Sequence, residues 1–205
     1  MEGGSKDMAP QFVPCSENGG VSADEIRKAF QTLLRYVGEN PQRDGLLQTP
    51  DRVARAWLEM TEGYQLNPAQ FLSTTFEGES DEMVVLKNIE FTSFCEHHLL
   101  PFTGVAHVGY LPSQGRIVGL SKLARVVDVY AKRLQVQERM TSEIANAIDS
   151  YLSPAGVGVV VEGTHSCMCL RGVKKSGGSM ITSHLRGTFR ENPATRNEFL
   201  SLVRN

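Results

Sequence analysis

The chain has 205 residues, 40% of them hydrophobic, which is enough apolar material for one sizeable core. A formal net charge of −2 excludes a global positive field for nucleic acid or an anionic membrane, so any anion site must be local. No apolar run reaches the roughly 18 to 20 residues of a membrane-spanning helix, and the first residues lack the basic and apolar regions of a secretory signal, so a cytoplasmic protein is expected.

Residues 1–21 are rich in Gly, Pro, Ser and Asn without periodicity and are expected to form a disordered tail, with no specific role for Cys15. Ser22 and Glu25 match a capping box, followed by Ile26, Phe30, Leu33, Leu34 and Val37 at helical spacing, with Gly38 as the stop. Thr49-Pro50 reads as the N-cap and first position of a second helix whose apolar face is Val53, Trp57 and Met60. The stretch MVVLKNIEFTSF (83–94) reads as a strand, and TGVAHVGYL (103–111) as its antiparallel neighbour after a turn holding Pro101. CEHHLLP lies between them.

A helix is expected from Ser121 through Leu123, Val126, Val127 and Tyr130, and another from Gln137 with Met140, Ile144, Ala147, Ile148 and Tyr151 on one face. Two β-rich stretches follow, 156–170 and 179–189, then a short helix opened by Asn192-Pro193. Helices grouped apart from antiparallel strand pairs indicate an α+β domain. Neither G-x-x-x-x-G-K nor G-x-G-x-x-G after a strand occurs, which removes support for P-loop and dinucleotide-binding folds.

Four cysteines in a chain of this length without an export signal favour metal binding or chemistry over a disulfide framework. Cys95-Glu96-His97-His98 places a thiolate and two imidazoles at a strand-to-loop boundary, which is metal-ligand spacing. In HSCMC, an extended backbone would put His165, Cys167 and Cys169 on one side of a strand, because side chains alternate with period two. Zinc favours thiolate and imidazole ligands, and a catalytic zinc typically takes three and leaves one position open. Two cysteines and one histidine suffice, which leaves other members of the two clusters for proton transfer. A closed site with four protein ligands is the alternative. His107 and His184, outside both clusters, read as ordinary strand residues.

Ser121 and Lys122 fall at a predicted helix N-terminus with Arg125 one turn on, where free N–H groups and the helix dipole would suit a polyphosphate. Gln137-Glu138 opens the next helix, and an amide beside a carboxylate can meet a purine edge.

The segments CEHHLLPFTGVAHVGYLP, IVGLSKLARVVDVYAKRLQVQERMT and GVGVVVEGTHSCMCLRG closely resemble the GTP cyclohydrolase I family, as do TPDRVARAW and TRNEFL. The resemblance implies a tunnelling fold over residues 81–205, an antiparallel four-stranded sheet with two helices on one face, preceded by a helical region at 22–80. It also implies a toroidal homodecamer with active sites at subunit interfaces. By motif match Cys95, His98 and Cys167 would bind one Zn2+ per subunit, and His97 and His165 would be the acid–base pair. Ser121 would contact the sugar, and Glu96 would orient a histidine. Gln137 and Glu138 would recognise guanine; Lys122, Arg125 and Arg171 would bind the triphosphate; Arg52 would reach in from a neighbouring subunit. Cys169 receives no role.

The implied substrate is GTP. A zinc-acidified water would attack C8 of guanine while His165 protonates N7, formate would leave, and His97 would assist ribose opening before rearrangement to dihydroneopterin triphosphate. No nucleic-acid or membrane partner is expected, and no feedback-regulatory protein is identified by these residues. The competing enzyme reading is a nitrile reductase of the same fold, with a cysteine nucleophile, NADPH and no zinc; His97-His98 after Cys95 speaks against it. A non-catalytic zinc module, with four protein ligands, is the third reading.

Overall fold

The computed structural model describes residues 20–78 and 81–204; Cys15 and all but the end of the expected 1–21 tail lie outside the described residues. Helix α1 (Ala23–Tyr36) starts at the expected capping box: the Ser22 hydroxyl accepts from the Glu25 N–H (3.3 Å), and the Glu25 carboxylate accepts from the Ser22 N–H (2.9 Å). It ends where Gly38, at φ +86°, lets Glu39 N–H reach the Leu34 carbonyl (2.9 Å) and Gly38 N–H the Arg35 carbonyl (3.0 Å), a Schellman stop. Helix α2 (Thr49–Met60) carries Pro50 in its first turn, but Thr49 is not the cap. Gln48 holds that position without a side-chain bond, and the Thr49 hydroxyl donates back to the Gly45 carbonyl (3.4 Å). Arg27 ties the two helices together through Asp51 (3.1 and 2.8 Å).

After α3 (Ala69–Leu72), the short strand β1 (Thr75–Glu77) pairs with β4 (Arg116–Val118). The region expected to be helical is thereby stitched to the main body, and Leu72 is buried in the core. The principal sheet comprises β2 (Val84–Cys95), β3 (Pro101–Leu111), β5 (Leu134–Gln135), β6 (Gly156–His165) and β7 (Met180–Gly187), in the order β5-β2-β3-β6-β7. Its four long strands are antiparallel, as expected. A fifth strand corrects the count: two-residue β5 runs parallel to β2, against Phe94 and Cys95 only.

Helices α4 (Leu120–Ala131) and α5 (Gln137–Leu152) cover one face, α4 over β2 and α5 over β6 and β7. Phe102, Ala106, Val108, Val157, Val159 and Val161 meet Leu123, Val126, Met140, Ile144 and Ile148 there, all fully buried. Each buried Leu, Ile or Phe adds about 1.5–3 kcal/mol of hydrophobic stabilisation. A second cluster, built on Val160, Phe189 and Phe199, joins the sheet to α7 (Thr188–Glu191) and α8 (Pro193–Arg204). Among the described residues no helix is long and apolar enough to cross a membrane.

Two expected strands stop early. The stretch 156–170 is extended only to His165, and Ser166–Cys169 is one helical turn, α6. The ladder supplies the reason: His165 pairs with Phe102 at the start of β3, so the chain beyond it has no strand partner. Its backbone satisfies itself instead, with the Leu170 N–H on the Ser166 carbonyl (2.9 Å). Likewise 179–189 leaves the sheet at Gly187 and turns into α7.

The direction of α4 matters for the site. Just before it, the Val118 N–H donates to the Tyr110 hydroxyl (3.1 Å), and Tyr110 pairs with Val84. Just after it, β5 pairs with Phe94 and Cys95. Helix α4 therefore runs the length of β2, and its 12 residues put its N-terminus about 18 Å from the Cys95 end, at roughly 1.5 Å per residue.

Candidate active site

Cys95 is the last residue of β2, 7% exposed. Its N–H donates to the Leu100 carbonyl (2.9 Å), while its own carbonyl accepts from the N–H groups of His98 (3.3 Å) and Leu99 (2.8 Å). Leu99 adopts φ +54°, the left-handed region that bulky side chains rarely enter. This tight turn folds the histidines back over the cysteine, with His98 Nδ1 3.8 Å and His97 Nδ1 4.0 Å from the Cys95 sulfur.

The helical turn α6 brings in the third sulfur. Ligand atoms of Cys95, His98 and Cys167 all lie within 4.8 Å of one another, so these three could hold a metal ion. Burial, and then the neighbouring Cys95, push the Cys167 thiol up from its ordinary pKa. Because α6 is helical, Cys169 does not share the face of Cys167 as a strand would require. It turns away, its thiol directed at the Lys175 carbonyl (3.6 Å).

His165 ends β6 with its ring stacked on Phe102, 4.4 Å between centroids and 5° between planes. Burial lowers its proton affinity, and Glu138, exposed on the first turn of α5, pulls it partly back up. Its Nε2 lies 2.9 Å from Gln137 Oε1. Gln137 is 1% exposed, and its amide nitrogen faces the Val161 carbonyl (3.1 Å), the Met180 carbonyl (2.8 Å) and Thr182 Oγ1 (3.1 Å). Of the pair expected at a purine edge, only Glu138 faces outward.

Glu96 Oε1 lies 3.9 Å from His97 Nε2, and the other oxygen of Glu96 is paired with Arg139. The Arg139 hydrogen bond holds the Glu96 carboxyl below the usual carboxylate range. Arg139 is itself fixed by the Gln135 side chain (3.0 Å) and the Leu134 carbonyl (3.0 Å). Arg171 Nη1 reaches His98 Nε2 at 2.7 Å.

One chain thus gathers Cys95, Glu96, His97, His98, Gln137, Glu138, His165, Cys167 and Arg171. Ser121 and Lys122 are not brought to this group, since they open α4 at its far end; Arg125, half-way along α4, sits over the Phe71 ring, 5.6 Å from its centroid. Arg52, on α2, bonds Gln48 (3.0 Å). Sequence reasoning missed Phe102, Thr141, Thr182 and the tie between Arg139 and Glu96. The Arg139–Glu96 tie joins the first turn of α5 to the turn after β2, 43 residues apart in the chain, so no local spacing signalled it.

Fold and site together define an α+β protein with a cysteine–histidine group that could hold a metal ion, beside a separately held histidine. The sequence pattern of GTP cyclohydrolase I matches residues 26–204, and the chain belongs to that family. It is 53% identical over 185 residues to GTP cyclohydrolase 1 of Thermobifida fusca (strain YX), covering 90% of this chain and 89% of that protein. It is 50% identical over 190 residues to GTP cyclohydrolase 1 of Homo sapiens, covering 92% and 76%. A solved structure of the archaeosine synthase QueF-Like in the apo form is similar at TM-score 0.44 and 18% identity, over 53% of this chain and 97% of that one.

Proposed function

We propose that this chain is a cytoplasmic GTP cyclohydrolase I: it adds water across the imidazole ring of the guanine in GTP, releases C8 as formate, and rearranges the remainder to 7,8-dihydroneopterin triphosphate. The carrying observation is the convergence of Cys95, His98 and Cys167 within 4.8 Å, beside a histidine outside the ligand set. Residues 81–205 form the catalytic body in this reading, and 22–80 a helical appendage.

The donor set fits zinc. Ligands at about 2.3 Å for sulfur and 2.0–2.1 Å for nitrogen in tetrahedral array would stand roughly 3.6 Å apart, close to the 3.8 Å between the Cys95 sulfur and His98 Nδ1. Three protein ligands leave a fourth position open, the catalytic pattern. Zinc, when bound, supplies Lewis acidity that brings the acidity of water toward neutral pH.

The remaining roles fall to side chains. Glu138 accepts from the N–H edge of guanine. His165 delivers a proton to N7, making C8 electrophilic; its lowered proton affinity makes its protonated form the stronger acid. His97, beside the Glu96 carboxylate, moves a proton at the ribose during ring opening. Arg171 faces the polyphosphate. Ser121 and Lys122 act on the sugar and triphosphate of a site in a neighbouring copy, because α4 begins about 18 Å from its own Cys95; Arg125, one turn on and directed over the Phe71 ring, joins them, and Arg52 does the same from α2. That division of labour supports a homo-oligomer, in our reading a decamer.

The test is incubation of zinc-loaded protein with GTP, following formate and pterin absorbance beside a chelator-treated control. Metal-dependent formate and pterin are expected. Bound zinc with unaltered GTP would overturn the reading in favour of a structural metal.

A further inference from the structure

The amide of Gln137 can be oriented from hydrogen-bond chemistry alone. One end faces two main-chain carbonyls, Val161 (3.1 Å) and Met180 (2.8 Å), which can only accept. That end must be the NH2 group, since the flipped amide would press its oxygen against two others. Its oxygen therefore faces His165 Nε2 at 2.9 Å, and because an amide oxygen can only accept, Nε2 must carry a hydrogen. A neutral imidazole has one N–H, so Nδ1 is left with its lone pair.

The support behind Gln137 is closed on itself. Thr141 Oγ1 donates to the Gln137 carbonyl (2.7 Å), which spends its one proton. The 2.7 Å contact between the two threonine hydroxyls is then a donation from Thr182 to Thr141, and Thr182 Oγ1 accepts from the Gln137 amide (3.1 Å). Each donor in this ring has an acceptor, and Gln137 and Thr141 are each 1% exposed. Gly163 leaves the necessary space: a Cβ there would stand 2.7 Å from Gln137 Oε1. Phe102 fixes the plane of the imidazole.

We infer that Gln137, backed by Thr182 and Thr141, is a positioning residue that holds His165 as the Nε2–H tautomer and reserves Nδ1 for proton exchange with substrate. The tautomer follows from the packing; the use of Nδ1 rests on the cyclohydrolase reading. With its amide occupied inside the chain, Gln137 does not read guanine with that group.

The test uses the full-length oligomer labelled with 15N-histidine, sedimented for solid-state NMR, with His165→Asn assigning the His165 signals. A pyridine-like Nδ1 and a pyrrole-like Nε2 are expected for neutral His165. Gln137→Met should abolish that preference and lower kcat roughly tenfold to hundredfold, with KM for GTP and zinc content little changed. Thr182→Val should move both readouts less but in the same direction, and Thr182→Ser should restore them. A pyrrole-like Nδ1 in the wild type would overturn the inference, as would Gln137→Met raising KM at unchanged kcat. If Gln137→Met does not fold, the wild-type spectrum and the Thr182 pair decide. Absence of formate from the wild type would sink the cyclohydrolase reading while the tautomer is still read from the spectrum.

Discussion

Trp57 and Phe94 hold their rings 5.5 Å apart at a 41° tilt, so α2 is packed against the strand one residue before Cys95. Trp57→Ala removes this support, and a loss of about 3 kcal/mol is expected, near the lower end for aromatic-to-alanine changes because Trp57 is only partly buried. Zinc affinity should fall as well, since the strand end that carries Cys95 loosens. Thermal unfolding and metal titration of Trp57→Ala against Trp57→Phe check both, with Phe recovering most of each.

Cys167→Ala and His165→Ala should each abolish formate release, but only Cys167→Ala should lose zinc, because Cys167 belongs to the ligand group and His165 bonds Gln137 instead. Cys169→Ser should keep both, its sulfur being directed at a main-chain carbonyl. Metal analysis and turnover on the three proteins separate the roles.

The Glu96–Arg139 pair sets the carboxylate beside His97. Glu96→Gln and Arg139→Met should each lower kcat by roughly tenfold. The double variant should be little worse than either alone, because the two act as one unit. Kinetics on this double-mutant cycle measures the coupling.

Distance along α4 makes a prediction about mixing. Subunits carrying Lys122→Ala, at the far end of α4, and subunits carrying Cys167→Ala should each be nearly inactive alone. Co-assembled in equal amounts, they should recover about a quarter of wild-type activity, the fraction of shared sites in which both contributions are intact. No recovery would show that each site draws these residues from a single chain.

His107 is 7% exposed, and its Nδ1 accepts from the Asn88 N–H (3.3 Å). Burial lowers its proton affinity below the ordinary histidine value of 6.5. The unfolded chain therefore takes up this proton first: the stability is present above about pH 6.5 and is lost as pH falls through the folded-state value. The thermal midpoint should drop between pH 7.5 and 5, and His107→Gln should flatten part of that slope in a pH series by calorimetry.

Periodicity made the main elements readable. The Ser22–Glu25 box, the 83–94 and 103–111 hairpin and the apolar faces of α4 and α5 all carry their signal within a few residues, where backbone period and burial agree. The helical turn at Ser166–Cys169 was not readable, because it is decided by where β3 stops offering a partner, over sixty residues earlier in the chain. The two cysteine–histidine clusters stood out by composition, while their reduction to Cys95, His98 and Cys167 came from family resemblance. The inward amide of Gln137 left no trace in the pattern, since two of the groups that orient it are main-chain carbonyls, which every residue possesses. The gap between α4's N-terminus and Cys95 likewise depends on which way the helix runs across the sheet.

Strand β5 covers only Phe94 and Cys95, so most of β2 is an open border of the sheet, and β7 is the other. In the homo-oligomer proposed above, a subunit parted from its copies would bear two margins whose main-chain groups lack a strand partner among the described residues. Such a chain has no comfortable solitary existence: on dilution or partial denaturation it should be lost to precipitation before it accumulates as a soluble monomer, and its apparent stability should rise with protein concentration.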